Sequence, residues 1–585
     1  MNPVRPNPER AVRIANCSGF FGDRLSAAKE MVDATIGEHG DIDVLTGDWL
    51  AELTMLILHK QRTRNPDAGY ASTFLIQMEQ VLASCLDRGI RIVTNAGGLN
   101  PAGCAEKVRQ IAGKLGREVK VAYVEGDDLM GRLDDLRPQL HHLDTGAPLA
   151  GSPVTANAYL GGWGIAAALK AGADVVVCGR VTDAAIVVGP AAWWHGWAHD
   201  DWDALAGAVV AGHVIECGTQ ATGGNYSWFD EIPDPTLPLG FPIAEIAADG
   251  SSIITKHTGT GGVVNVGTVT AQLLYEIASP HYANPDVVAR FDTIGLAQVG
   301  DDRVRIDGVI GEPAPLTTKV CINLDGGYRN RMSFVLTGLD QRRKADWLTD
   351  ALFRRVGGAA RFDEVDVRFV EAPSDAPTQE QASGRLHITV KSHDERLAGK
   401  VFSAAAIELA LANYPGFFAT GGPSEAQSYG VYWPALVDAA EVHQSVVMPD
   451  GSRVPVALPP RSLVVTAATQ TVPASAEPVG PSAGEALGAY FAARSGDKGG
   501  NANVGIWACD DGGYAWLRQH LTAAAVQQML PEAAGLEVRR YELGNLRALN
   551  FVIVGLLGEG VASSTAFDTQ AKGLGEYLRS RVWPD

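Results

Sequence analysis

A short apolar run in the middle of the chain is followed at once by side chains suited to acid–base chemistry, in ADVVVCGRVTD. Residues 175–177 are typical of a buried parallel strand. Arg180, Thr182 and Asp183 would then lie in the loop at its carboxyl end, where α/β sheets bind ligands. Asp183 could act as a general base, and the guanidinium of Arg180 could hold a carboxylate or an anion derived from a thioester. The alternative is structural, because an Asp after a Thr is also a common helix N-cap.

The same rule nominates polar residues in the loops after other predicted strands, because these loops converge at one edge of a parallel sheet. The nominated substrate-binding residues are Asn16, Ser18, Asp23, Asp48 and Asn95. Gly97 and Gly98, in TNAGGLNP, would let backbone N–H groups approach an anion closely, although the loop lacks the GxGxxG pattern. Asp23 and Asp48 could instead form turns or caps, and neither has a known metal-ligand spacing.

The run KHTGTGG, at 256–262, contains a histidine beside a glycine-rich loop. His257 is the histidine best suited to proton transfer, since an imidazole titrates near working pH and the neighbouring residues are small and polar. The backbone amides of the loop could bind a phosphate, which nominates Gly259, Thr260, Gly261 and Gly262. A surface histidine and a plain turn between strands are the alternatives, because no GxxxxGKS pattern is present.

Two further segments combine glycines with reactive side chains. In IECGTQATGGNY, Glu216 could serve as a base and Cys217 as a nucleophile, although buried, unreactive cysteines are common. Near the C-terminus, SGDKGGNANVG brings Asp497, Lys498 and Asn501 into one turn that is more polar than a hairpin requires. This turn could complete an active site or bind the main domain.

The elements that would position these residues follow a repeating order in the first half of the chain: a β-branched run, a polar turn and a helical pattern. Predicted strands at 12–15, 42–45 and 90–93, and one from Val119, are followed by such turns, as is the strand at 175–177. This order is typical of βαβ units. It predicts an α/β fold with a mainly parallel sheet over about 1–290.

The rest of the chain has a different character. Residues of about 291–465 contain short β-like runs and a helical stretch, which predicts a second lobe of α+β type and a large core over 1–465. An Ala, Pro, Ser and Thr-rich connector at 466–486 is typical of an exposed linker. Residues 487–585 then read as a small α+β domain of their own.

Composition limits the partners. Against 48 Lys and Arg, the 585 residues include 67 Asp and Glu, and the net charge of -19 disfavours nucleic acid and anionic membranes. The seven scattered cysteines lack CxxC spacing, so no disulfide framework or zinc knuckle is indicated. The start of the chain lacks the apolar run of a signal peptide, and no span-length apolar stretch occurs, so we expect a cytoplasmic protein.

These motifs together resemble a known family. IANCSGFFGDR, TGDWLAELTM, TNAGGLNPAGCA, CGRVTDAA, ECGTQATGGNY, KHTGTGG, NYPGFF and ARSGDKGGNANVG resemble the acyclic terpene utilisation (AtuA-like) proteins, in order and over nearly the whole chain. The resemblance implies a large core followed by a small ferredoxin-like domain. It also implies a place beside enzymes of citronellol and geraniol breakdown, which indicates a pathway rather than a reaction.

The resulting hypothesis is a catabolic enzyme acting on a CoA thioester of an acyclic isoprenoid or branched organic acid, by hydratase or lyase chemistry. The sequence requires no cofactor and no metal; CoA would enter as part of the substrate. A homo-oligomer that binds a small molecule, without nucleic acid or membrane partners, is expected. Two alternatives are a non-catalytic pathway scaffold, and a metal-assisted hydrolase of a small organic acid derivative that would use Asp23, Asp48 and Asp183.

Overall fold

The chain forms two compact units in a computed structural model, which describes residues 6–34, 40–462 and 476–584. The first unit contains the residues up to Asn323, the segment Tyr432–Val561 and the residues from Asp568 onward. The second unit contains Leu324–Val431 and Ala562–Phe567. The predicted connector at 466–486 lies outside the described residues as far as residue 475.

The helices and strands are given in chain order. Up to residue 315 they are β1 (Val12–Asn16), α1 (Ala27–Asp33), β2 (Val44–Gly47), α2 (Glu52–Arg64), α3 (Ser72–Arg88), β3 (Arg91–Thr94), α4 (Pro101–Lys114), β4 (Val121–Glu125), α5 (Leu133–Leu136), β5 (Pro153–Ala158), α6 (Trp163–Lys170), β6 (Val175–Cys178), α7 (Ala185–His195), α8 (Trp202–Ile215), β7 (Pro242–Ile246), β8 (Ser252–Lys256), α9 (Val266–Leu273), β9 (His281–Ala283), β10 (Val287–Arg290), β11 (Gly295–Gly300), β12 (Arg303–Asp307) and β13 (Ile310–Pro315). They continue with β14 (Thr317–Thr337), α10 (Gln341–Arg355), β15 (Glu364–Val370), β16 (Ser383–Ser392), α11 (Phe402–Glu408), β17 (Gln427–Asp438), β18 (Ser445–Val447), β19 (Arg453–Pro455) and β20 (Arg461–Ser462). The C-terminal part contains β21 (Ala492–Lys498), β22 (Asn501–Trp507), α12 (Asp511–His520), α13 (Ala523–Met529), β23 (Val538–Leu543), β24 (Ala548–Ile553) and α14 (Leu574–Ser580).

The first unit is built on a large mixed sheet. Within the described residues, eleven strands follow the order β11-β12-β8-β7-β1-β2-β3-β6-β4-β18-β19. The central strands β1, β2, β3, β6 and β4 are parallel neighbours, and antiparallel strands extend the sheet on both sides. All five predicted βαβ strands lie in this parallel centre. The expected α/β class is confirmed, and the antiparallel flanks are an addition that the sequence pattern did not indicate.

Helices cover both faces of the parallel centre, which explains why its strands are buried along nearly their whole length rather than on alternate residues. On one face Ala15, Leu45 and Ile92 pack with helices α1, α3 and α4. Successive side chains of a strand point to opposite faces, so Ile14 and Val44 lie on the other side, where α7 contacts β1 and β2. The carboxyl ends of these buried strands are therefore the open part of the sheet.

The C-terminal domain, which comprises residues 476–561 and 568–584 of the first unit, has its own core. Its antiparallel sheet has the order β21-β22-β24-β23. Val504 and Phe551 of the sheet pack with Leu517, Val526 and Leu578 from its three helices. The small α+β pattern expected after the connector is present in this arrangement.

The second unit has a sheet of order β15-β16-β14-β17 and two helices against one of its faces. Phe334 and Ile388 of the sheet pack with Leu348 from α10 and Phe402 from α11. No helix in the described ranges of the chain is both long enough and apolar enough to cross a membrane.

Candidate active site

A cavity of about 890 Å³ lies in the first unit, at the carboxyl ends of the parallel strands. The loops after β1, β2 and β6 supply Asp23, Asp48, Arg180 and Asp183 to its wall. This is the edge at which the ends of buried parallel strands present loops and helix N-termini to a ligand. The location agrees with the rule that nominated these loops.

The C-terminal domain supplies a second part of the wall. Asp497 and Lys498 end β21, and Asn501 begins β22, so the turn between these strands reaches the cavity. Arg539 and Lys572 of the same domain also line it. The cavity is therefore formed by residues from both ends of the chain.

Arg180 is a buried cation at the base of the cavity, with a relative exposure of 2%. Its Nη1 donates to Oδ1 of Asp183 at 2.8 Å, and its backbone N–H donates to Oδ2 of Asp127 at 2.9 Å. The guanidinium carbon lies 4.2 Å from the centre of the Tyr159 ring. Burial alone lowers the pKa of Arg180, but Tyr159, Asp183 and Glu52 raise it well above its usual value, so the side chain remains charged.

A second cation lies beside Glu52, the first residue of α2. The hydroxyl of Tyr159 donates to Oε1 of Glu52 at 2.7 Å, and Nζ of Lys319 lies 3.5 Å from the same oxygen. Burial alone raises the pKa of Glu52, but Lys319 and Arg180 outweigh burial and lower it to about 2. Glu52 is thus a permanent carboxylate that fixes Lys319 next to the cavity.

Two buried carboxyl groups have the opposite tendency. Burial raises the pKa of Asp48 and of Glu216 well above the usual range, and the nearby charge of Asp183 raises both further. Nδ1 of His213 lies 3.3 Å from Oε1 of Glu216, and burial lowers the pKa of His213 to about 4. Burial thus favours the neutral form of each of these groups.

Glu276 and Asp497 are the carboxyl groups whose protons exchange nearest to physiological pH. Burial, together with the charge of Glu52, raises the pKa of Glu276 to about 7 although Lys498 opposes it. Burial and the charges of Glu276 and Glu52 raise the pKa of Asp497 to about 8. Burial, and the positive charge of Lys319, lower the pKa of Lys498. Proton donors and acceptors therefore face one cavity at neutral pH.

Many of the residues nominated from the sequence lie in the cavity wall. They are Asp23, Asp48, Arg180, Thr182, Asp183, Glu216, Asp497, Lys498 and Asn501. Cys217 also lines the cavity, but burial and the charge of Glu216 raise its pKa well above the usual range, which disfavours a thiolate nucleophile.

Asn16, Ser18 and Asn95 lie behind the wall and support it. Nδ2 of Asn16 donates to the backbone oxygens of Ile215, at 2.7 Å, and Glu216, at 2.8 Å. Nδ2 of Asn95 donates to Oδ1 of Asp48 at 2.6 Å, and the Ser18 carbonyl accepts the backbone N–H of Asp48 at 2.9 Å. These residues position wall residues rather than line the cavity themselves.

His257 and the glycine-rich run after it lie outside the cavity wall. The run follows β8, which β7 separates from the parallel strands. Nε2 of His257 lies 3.0 Å from the Met31 carbonyl oxygen, and burial lowers the pKa of the ring. Oγ1 of Thr260 donates to the His257 carbonyl at 2.7 Å, which closes the run as a turn.

The glycines of two predicted anion-binding loops lie outside the cavity wall, at positions with a positive φ or a close backbone approach. Gly259 and Gly262 adopt φ of +82° and +83°, and Gly261 pairs with Leu239. A Cβ on Gly97 would lie 2.5 Å from the Cys178 carbonyl oxygen, and Gly98 has φ of +50°. The predicted catalytic residue His257 and the predicted substrate-binding residues of these two loops therefore do not line this cavity; the loop residues are Gly97, Gly98, Gly259, Thr260, Gly261 and Gly262.

The carboxylates considered for a metal do not form a ligand set. Oxygens of Asp23 accept the backbone N–H groups of Gly19 and Arg24, each at 2.9 Å, which is a loop-forming role. No group of three His, Cys, Asp or Glu side chains in the described part of the chain is arranged to hold a metal ion.

The sequence reasoning missed several residues of the cavity wall. The missed residues with polar side chains include Glu52, Tyr159, Glu276, Tyr282, Lys319 and Lys572. Glu52 stands close behind the TGDW turn and could have been nominated with Asp48. Glu276 and Lys319 have no comparable local signal, because they follow neither a predicted parallel strand nor a glycine-rich turn.

Fold and cavity define a class: a mixed α/β protein whose cavity is lined by carboxyl and cationic side chains and is completed by a small C-terminal domain. A family model described as acyclic terpene utilisation family protein AtuA matches residues 12–448, and one for the AtuA ferredoxin-like domain matches residues 486–582. The chain therefore belongs to the AtuA family of acyclic terpene utilisation, with its ferredoxin-like domain at the C-terminus. A search of curated proteins found no match to the chain.

Proposed function

We propose that this protein is an enzyme that adds water to, or eliminates it from, a CoA thioester of an acyclic isoprenoid or branched organic acid. The observation that carries the proposal is that titratable carboxyl groups and cationic side chains line the same cavity. Glu276 and Asp497 exchange protons near neutral pH, and Arg180 and Lys319 are fixed cations. This combination suits proton transfer next to a carbonyl whose oxygen gains charge.

In the hydration direction the substrate has a carbon–carbon double bond conjugated to the thioester carbonyl. Asp183 takes a proton from water while the water oxygen bonds to the β-carbon, and the π electrons move to give an enolate. Glu276 or Asp497 then gives a proton to the α-carbon, and the carbonyl re-forms. Arg180 or Lys319 stabilises the enolate oxygen. Nothing is oxidised or reduced, and the reverse sequence eliminates water.

The shape and lining of the cavity support a branched acyl group. A volume of about 890 Å³ lies at the upper end of the range for small-molecule sites. Phe20, Leu50 and Leu436 give it apolar wall area for a hydrocarbon chain, and Arg539 and Lys572 offer positive charge to an anionic part of the substrate. The family to which the chain belongs supports an acyclic isoprenoid chain as the acyl group.

The first test is a thermal-shift screen of the full chain against CoA, short acyl-CoAs, isoprenoid acyl-CoAs and the free acids. A ligand that binds the native state raises its apparent stability. We expect a selective shift with unsaturated isoprenoid or branched acyl-CoAs, and a mass gain of one water when these are incubated with the protein. The absence of a shift with every CoA compound would contradict the proposal.

The second test is Asp183→Asn, whose side chain is 28% exposed and pairs with Arg180. We expect turnover to fall at least ~100-fold with the thermal shift retained, because the amide cannot accept the proton of water. The matched control is Asp302→Asn, since Asp302 pairs with Lys256 outside the cavity wall and adopts φ of +52°, which Asn tolerates. Normal turnover in Asp183→Asn would remove that residue from the mechanism.

A further inference from the structure

Glu276 has an unusual backbone for a residue with a long side chain. It follows α9 and the residue Tyr275, and its φ is +55°. A non-glycine residue in the left-handed region costs free energy, and such residues persist where the surrounding structure over-determines them, often at functional sites. Glu276 also lines the cavity. What holds its backbone is therefore relevant to the chemistry.

The C-terminal domain takes both backbone polar groups of Glu276. The N–H of Glu276 donates to Oδ1 of Asn503 at 2.7 Å, and Nζ of Lys498 donates to the Glu276 carbonyl oxygen at 2.6 Å. Lys498 and Asn503 stand on the adjacent strands β21 and β22. One hairpin of the ferredoxin-like domain thus fixes one residue of the α/β core from two sides.

The next two carbonyls are held in the same way. Nδ2 of Asn550, on β24, donates to the carbonyl oxygens of Ile277, at 3.2 Å, and Ala278, at 2.8 Å. Nδ2 of Asn503 bonds to Oδ1 of Asn550. Both asparagines have a relative exposure of 0%, and buried amides are costly unless they are hydrogen-bonded. Their hydrogen bonds are directed at the turn formed by residues 276–278.

The carboxylate of Glu276 has a partner from the same domain. Nζ of Lys572 lies 3.7 Å from Oε1 of Glu276 and bonds to the hydroxyl of Tyr275. The side chain and the backbone of Glu276 are therefore both oriented from the C-terminal domain. Lys498, Asn503 and Lys572 of that domain thus contact Glu276 itself, and Asn550 contacts the two residues after it.

We infer that Glu276 is a catalytic residue and that Asn503 and Asn550 are positioning residues, through which the ferredoxin-like domain holds Glu276 in its left-handed conformation at the cavity. The catalytic part of this inference rests on the proposed function. The positioning part does not, because the conformation of the turn can be measured without a substrate.

Hydrogen exchange of the full chain tests the positioning part. In Asn503→Ala the amides of the segment 274–279 are expected to exchange at least ~10-fold faster, because the turn loses its hydrogen bonds to the domain. The matched control is Asn545→Ala. Nδ2 of Asn545 donates to the carbonyl oxygens of Phe291, at 2.8 Å, and Ile294, at 2.9 Å, so it also joins the C-terminal domain to the core but lies outside the cavity wall.

Asn550→Ala gives a second variant if Asn503→Ala does not fold. Equal exchange of the segment 274–279 in these variants and in Asn545→Ala would overturn the positioning role. An increase confined to 274–279, with the rest of the chain protected as in the unchanged protein, would support it.

Kinetics on the acyl-CoA identified by the screen test the catalytic part. We expect Glu276→Gln to lower kcat at least ~100-fold, and Asn503→Ala to lower kcat at least ~10-fold with KM changed less than ~3-fold and the pH profile of kcat displaced. Asn545→Ala should retain the kcat and pH profile of the unchanged protein. If Asn503→Ala speeds the exchange of residues 274–279 but leaves kcat and its pH profile unchanged, the catalytic role of Glu276 is overturned. If no acyl-CoA is converted, the proposed function fails while the exchange result still decides the positioning role.

Discussion

The loops at 256–262 and 495–505 look alike in sequence, since each places a lysine among glycines and polar side chains. In the first loop Nζ of Lys256 lies 2.8 Å from Oδ2 of Asp302 and donates to the Thr260 carbonyl oxygen at 3.0 Å. In the second loop Lys498 donates to the carbonyl oxygen of Glu276 and lines the cavity. The first lysine stabilises its own turn, whereas the second joins two parts of the chain.

This difference shows that amino-acid composition alone does not identify which loop lines the cavity. What separates the two loops is their position relative to the parallel strands and the source of their partners. The first follows a flanking strand and is closed by hydrogen bonds within the turn, while the second is brought over the strand ends by a separate domain. A loop such as 495–505 can place charged side chains in a cavity because their hydrogen-bond partners come from another segment of the chain and not from the loop itself.

Removing each lysine charge gives the largest expected contrast. Lys498→Met should lower kcat about 10²–10⁴-fold, because the carboxyl groups of Glu276 and Asp497 lose a neighbouring cation and Glu276 loses a backbone partner. Lys256→Met should retain kcat within ~3-fold. Steady-state kinetics of both variants, with thermal melts to establish folding, measure the difference. Equal losses of activity would show that the comparison between the loops is wrong.

The carboxyl groups beside the two lysines, Asp497 and Asp302, allow a comparison of how each affects the free energy of unfolding. The pKa of Asp497 is about 8 in the folded chain, and an unfolded Asp titrates near pH ~4, so between these values the native state binds the extra proton. The free energy of unfolding should therefore fall as pH rises from about 4 to about 8. Asp497→Asn removes this penalty and should therefore gain stability relative to the unchanged protein as pH rises through this range.

Urea unfolding at several pH values measures this effect, with Asp302→Asn as the variant from the other loop. Asp302 suits this comparison because its side chain pairs with Lys256 at 2.8 Å and lies outside the cavity wall. A stability difference for Asp497→Asn that does not change with pH would contradict the protonated state of Asp497.

The smallest effect is expected at His257. Because its ring contacts the Met31 carbonyl oxygen and lies outside the cavity wall, His257→Gln should leave kcat within ~2-fold and the pH profile unchanged. A loss of stability below ~1 kcal/mol is expected for exchange of one partly buried polar contact. If the pH dependence of kcat disappears on one side of its optimum in His257→Gln, His257 would be an acid–base residue after all.

The parallel centre of the fold could be predicted because its signals are local. Each strand is a short β-branched run followed by a polar turn, and the rule about carboxyl ends then located Asp48, Arg180 and Asp183. Glu276 and Lys319 could not be found in this way. They reach the cavity through packing between segments far apart in the chain, and no periodicity or turn motif encodes such distant contacts.

The supporting asparagines show a limit of a different kind. Asn16 and Asn95 stand at the ends of parallel strands, as the sequence rule predicts, but their amides point to other protein groups. A sequence rule gives the edge of the sheet at which a residue lies. Whether its side chain faces a ligand or another side chain depends on a few ångströms of packing, which the pattern does not contain.

The distribution of the cavity wall along the chain has a consequence for synthesis on the ribosome. The wall begins with Gly19 and Phe20 and ends with Gln570 and Lys572. A nascent chain can fold its parallel strands early, but the cavity acquires Lys498 and Lys572 only after the segments that form those strands have been translated. A polypeptide released before Lys498 would contain the parallel strands but lack its proposed chemistry, so activity would report that translation had passed Lys572.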